Sequence, residues 1–132
     1  MTSAPPPSAA GDLGTDTLAE LAHRSHEVIT KHQHPSGAYP ATPSFPAYAG
    51  FAWLRDGSFT AESVSRYGDE PSAGRFHDWT AGVLAARRDH VAALVAAAAR
   101  GEEVPAERML PTRYTLDGAD GSVEWWDFQT DG

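Results

Sequence analysis

The chain contains no cysteine, which excludes disulfide bonds and thiolate chemistry. Long apolar runs are missing too: the longest, Val91 to Ala99, is alanine-rich and far too short to cross a bilayer. Residues 1–14 hold neither a basic residue nor a leucine-rich segment, so no secretory signal is expected there and the cytoplasm is the expected compartment. Basic residues are scarce, 10 Lys and Arg against 18 Asp and Glu, for a net charge of −8. Phosphate contacts demand a cationic footprint, so nucleic acid is not an expected partner. The one basic cluster, Arg87-Arg88 followed by Asp89, reads as a solvated helix face. Glycine-rich phosphate loops are absent as well.

What is present is a globular composition. With 132 residues, 41% of them hydrophobic, the chain can build one modest core. Residues 1–14, with Pro5 to Pro7, read as a flexible leader outside the fold. A helix is expected over 15–33, with Thr17 and Glu20 spaced as a capping box. From His34 to Trp53, Pro35, Pro40, Pro43 and Pro46 forbid a long helix or a central strand. Tyr39, Phe45, Tyr48, Phe51 and Trp53 are interleaved with them, and so long an aromatic loop is more often functional than idle. A second helix is expected over 57–67, stopped by Gly68. A third is expected over 71–100, with Phe76, Trp79, Val83, Val91, Leu94 and Val95 as its buried stripe. Beyond Pro105, Asp117-Gly118 and Asp120-Gly121 signal turns that suit a short hairpin. The end, Val123 to Phe128, packs three aromatics and two carboxylates together. The fold class is all-α, helices joined by long loops.

Chemistry concentrates in Trp53-Leu54-Arg55-Asp56-Gly57-Ser58-Phe59. An adjacent Arg and Asp set a fork of donors beside a pair of acceptors, matching the diol edge of a sugar. An indole covers the C–H face of a pyranose. The same residues also suit an ion pair capping a helix beside a core tryptophan. His32 and His34, or His23 and His26, lack the further ligands a metal site needs, so no metal is expected. Ser58 lacks the flanking pattern of a nucleophile elbow.

Two blocks carry a family resemblance. Tyr39 to Tyr48 with Trp53 to Phe59 resembles the first active-site loop of bacterial glycoside hydrolase family 15, the glucoamylase-like enzymes. Leu110-Pro111-Thr112-Arg113-Tyr114-Thr115-Leu116-Asp117-Gly118, followed by Glu124 to Gly132, is similar to a second block of that family, in the same order. The resemblance implies the first part of an (α/α)6 barrel of six helical hairpins, spanning 15–132, whose loops form a sugar pocket. It implies inverting, exo-acting hydrolysis of α-glucosides, glucoamylase- or trehalase-like, without a cofactor. Arg55 and Asp56 are then the ligands of the terminal glucose hydroxyls; Trp53, Trp126 and Asp131 line the same pocket, and an α-glucoside or oligosaccharide is the expected partner. The family's catalytic acid and base are glutamates downstream of the block ending at Gly132, and Glu102, Glu103, Glu107 and Glu124 match neither. The expectation is therefore substrate-binding residues without the catalytic pair, in an isolated chain that is inactive. The alternative is a non-catalytic remnant or carbohydrate-binding helical module. In either case a few helices of such a barrel are expected to leave Phe76, Trp79 and Val83 exposed.

Overall fold

The first helix, α1 (Thr15–His32), opens a computed structural model that describes residues 14–121. It starts without the expected capping box. Gly14 is the N-cap, its carbonyl accepting from the amides of Thr17 and Leu18, and Glu20 instead pairs with Arg24 one turn on at 2.7 Å. No residue of α1 is buried; Ile29 is its partial contribution to the core.

The proline-rich stretch forms a single short turn of helix, α2 (Pro46–Ala49), and then a two-residue strand, β1 (Phe51–Ala52). Trp53 is the N-cap of α3 (Leu54–Tyr67), which ends at Gly68 in the left-handed conformation, φ 105°. After this tight turn α4 (Glu70–Ala85) folds back on α3, with Asp69 accepting from the Ser72 amide at 3.1 Å and Pro71 in the first turn. The two helices form the structural centre. A Cβ on Gly57 of α3 would stand 2.3 Å from the Phe76 ring of α4, so their close approach there depends on glycine.

The helix expected over 71–100 is two helices. α4 stops at Ala85, and α5 runs over Arg88–Ala99. The residue at the break makes contacts far along the chain. Arg87 turns its guanidinium back to the carbonyl of Val83 and across to the carbonyl of Gly118 and the carboxylate of Asp120, 4.6 Å above the Tyr114 ring. Its side chain is only 13% exposed, which also corrects the reading of Arg87 as a solvated charge.

Residues after α5 pass through a 3-10 turn (Ala106–Arg108) to β2 (Tyr114–Thr115). β2 pairs antiparallel with β1, Phe51 opposite Thr115 and Ala52 opposite Tyr114. The hairpin signalled by Asp117-Gly118 is present: Thr115 bonds Ala119, and Gly118 turns at φ 87°. The hairpin covers α4, with Trp79 Nε1 donating to the Leu116 carbonyl at 3.0 Å.

The core consists of Tyr39, Ala52, Ala61, Val64, Ala73, Phe76, Trp79, Val83 and Tyr114, with Ala38. Phe76, Trp79 and Val83 are therefore covered by the chain's own loop and hairpin (0%, 7% and 4% exposed), contrary to the exposure expected of them. Val91 and Leu94 are half-buried and Val95 is 63% exposed, so the predicted stripe is buried only in its first half. The all-α assignment holds, with two strand residues on each side of one pairing. No helix among the described residues is long and apolar enough to cross a membrane.

Candidate functional site

The loop from His34 to Trp53 is held at both ends. At its start, the Gly37 backbone lies so close to the Arg75 carbonyl that a Cβ would sit 2.2 Å from that oxygen. At its end, β1 is fixed by β2. Between them the Tyr39 ring stacks on Phe76, centroids 5.2 Å apart and 22° between planes. A cavity of about 280 Å3 opens here, walled by Tyr39, Pro40 and Ala41 from the loop, and by Trp53, Asp56, Gly57, Phe59 and Thr60 from the start of α3.

Two of the residues singled out from sequence, Trp53 and Asp56, meet in this cavity. Trp53 is 7% exposed. Tyr48 tilts against its ring at 5.8 Å, and the Arg113 guanidinium lies 5.9 Å away while sitting 4.0 Å over Phe51. Asp56 is in the first turn of α3, where the helix dipole favours a carboxylate. Thr60 donates to its backbone carbonyl at 3.1 Å.

Arg55 is not one of the cavity walls. Its Nη2 lies 3.3 Å from Asp56 Oδ2, with both side chains largely in solvent (42% and 58% exposed). Such an exposed neighbour pair contributes little to stability, on the order of 0–1 kcal/mol. Trp126 and Asp131 lie outside the described residues.

Sequence reasoning missed Tyr39 as a cavity wall and Arg113 as the cation behind Trp53. Tyr39 was visible only as one aromatic of a loop; the ring stacking that gives it a place depends on Phe76, far along the chain. Burial raises the Tyr39 phenol above its ordinary pKa. The histidines are engaged structurally. His23 bonds the Tyr67 hydroxyl at 2.8 Å, and His26 stacks on that ring and bonds Asp69 at 3.0 Å. Among the described residues no group of three His, Cys, Asp or Glu is placed to hold a metal.

A second, larger cavity of about 510 Å3 lies between α5 and the segment leading to β2. Its walls are aliphatic apart from Met109, Pro111 and Tyr114, with Leu84, Val91, Leu94, Val95 and Leu110 prominent. Among the described residues, none of its walls is a charged side chain.

No family model matches the chain. Over 130 residues it is 62% identical to an isomaltose glucohydrolase from Kribbella flavida, covering 95% of this chain and 34% of that protein. A solved wild-type glycosidase superposes with a TM-score of 0.79 at 63% identity, over 89% of this chain and 32% of that one. The same figures hold for a glutamate-to-alanine glycosidase variant in complex with glucose. The chain spans a third of the length of these relatives (34% and 32%). Over nearly its whole length, it is similar to part of a glycosidase.

Proposed function

We propose that this chain is the sugar-gripping portion of a glycosidase of the family 15, glucoamylase-like type, whose whole protein cleaves an α-glucoside by inversion. One observation carries the reading: in a chain 62% identical to an isomaltose glucohydrolase, Trp53 and Asp56 converge on one cavity beside Tyr39. Two ring faces suit the C–H surfaces of a glucosyl unit, and the Asp56 carboxylate accepts from its hydroxyls. Arg55, paired with Asp56 and outside the cavity walls, supplies donors to the same hydroxyls through its fork. Trp126 and Asp131 belong to this site by motif position.

Inversion requires two carboxyl groups about 6.5–9.5 Å apart, one protonating the leaving oxygen and one activating water. Among the described residues, Asp56 is the one carboxylate in the cavity walls. In this proposal the chain supplies the grip, and the acid and base belong to the two thirds of the relatives' length that it does not span. The purified 132-residue chain is expected to release no glucose from isomaltose; robust release refutes this division of labour.

Binding is tested by titrating glucose and isomaltose into the chain and following tryptophan emission. Asp56→Asn is expected to lose about 1.5–3 kcal/mol of binding, the range for a hydrogen bond to a charged group. Arg55→Ala should lose less, because Arg55 is not one of the cavity walls. An unchanged response in both variants sinks the sugar site.

A further inference from the structure

Behind the cavity a chain of side-chain hydrogen bonds fixes one of its walls. Tyr39 Oη lies 2.8 Å from Ser72 Oγ, and Ser72 Oγ lies 2.8 Å from Gln33 Oε1. Ser72 is fully buried. The orientation of the Gln33 amide is set by its neighbours: Nε2 donates to the carbonyls of Gly37 and Ser72 at 2.8 and 2.9 Å, and Oε1 also accepts from Arg75 Nη2 at 2.5 Å. Oε1 can only accept, so the single hydroxyl hydrogen of Ser72 points to it. Tyr39 must then be the donor to Ser72 Oγ. The phenol thus spends its one hydrogen away from the cavity, and its ring is clamped on Phe76.

We infer that Tyr39 meets its ligand as a ring face and not as a hydroxyl, and that Ser72 is the positioning residue that keeps the phenol hydrogen turned away from the cavity, the ring itself resting on Phe76. This rests on the sugar reading above, in which Tyr39 and Trp53 give the two flat surfaces and Asp56 the polar contact. Ser72 touches no ligand. Its own place is set by its amide bond to Asp69, the cap of α4, so the wall is tied to the framework of α4 and to the end of α1 through Gln33.

The test measures glucose affinity by tryptophan emission in the 132-residue chain, at a temperature where far-UV circular dichroism shows each variant folded. Tyr39→Phe keeps the ring and is expected to hold affinity within about twofold, while Tyr39→Leu weakens it at least about tenfold. Ser72→Ala strands the phenol and is expected to weaken binding about fivefold; adding Tyr39→Phe, which needs no acceptor, restores most of that loss. Recovery in the double variant is a result that a merely structural role would not give. If Tyr39→Phe loses as much as Tyr39→Leu, the hydroxyl contacts the sugar and the inference falls. If Ser72→Ala lowers the melting temperature but leaves affinity at the wild-type value, Ser72 is only a core hydrogen bond and the inference falls. A wild-type chain with no glucose response, matched by Asp56→Asn, overturns the sugar reading itself and removes the ligand the inference assigns.

Discussion

Two of the cavities among the described residues, the one beside Trp53 and the one along α5, differ in what stands behind them. The smaller, about 280 Å3, is backed by the packed centre of the fold: Tyr39 on Phe76, Gly57 against the same ring, Ser72 and Asp69 beneath. The larger, about 510 Å3, has aliphatic walls that are themselves half in solvent, Val95 of α5 at 63% and Leu84 of α4 at 43% exposure. Size and apolarity favour the second; convergent polar and aromatic groups on rigid supports favour the first. Recognition of a small ligand needs a few fixed polar groups in an otherwise apolar wall. Of these two cavities, as the described residues line them, the smaller has such groups and the larger does not.

The contrast is sharpest at Phe76. Phe76→Ala is expected to cost about 4 kcal/mol in urea denaturation, the usual penalty for emptying an aromatic site in a core. A loss below about 1 kcal/mol would mean that the smaller cavity has no solid back. Gly57→Ala attacks the same place by overfilling it. Its methyl group meets the ring edge, and a cost of about 2–3 kcal/mol is expected from the same measurement.

Asp69→Ala removes the cap beneath Ser72 and is expected to cost about 1 kcal/mol at neutral pH. Its carboxyl is held below the ordinary carboxylate range first by the Ser72 amide and then by His26. A group whose folded pKa is depressed stabilises the protein above its unfolded value, about 3.9, and loses that contribution as pH falls through the lower folded value. The gap between wild type and Asp69→Ala should therefore close on acidification, and a pH series of unfolding curves checks it. A gap that widens in acid contradicts the sign. At the other cavity, Val95→Ser is expected to change stability by no more than about 0.5 kcal/mol, as for an exposed position. A cost approaching that of Phe76→Ala would erase the distinction between the two regions.

Legibility in the sequence follows the range of the interaction that decides each feature. α1 and the Gly68 stop are local, set by periodicity, proline and a left-handed glycine, and both were readable. The break between α4 and α5 was not, because the alanine-rich stretch has no proline or glycine stop at that point; the contacts of Arg87 at the break reach a hairpin far along the chain. The same holds at the site. Trp53 and Asp56 are three positions apart at a helix start, so their meeting in one cavity was open to inspection. Tyr39, Ser72 and Gln33 are brought together only by the folding of α4 against the loop. Thr17 failed as a cap because Gly14, three residues earlier, already supplied the first carbonyl.

The pairing of β1 with β2 joins the aromatic loop to the far end of the described chain. Only four residues take part, yet the chain between them includes three helices, α3, α4 and α5. Closing so long a loop costs entropy that local helix formation does not, so the α3–α4 hairpin is expected to form first and the strand pairing last. During synthesis at a ribosome, Trp53 therefore emerges well before Thr115, the residue that completes the pairing. The wall containing Trp53 is therefore expected to settle only after that arrival, although its own residues are made before those of β2.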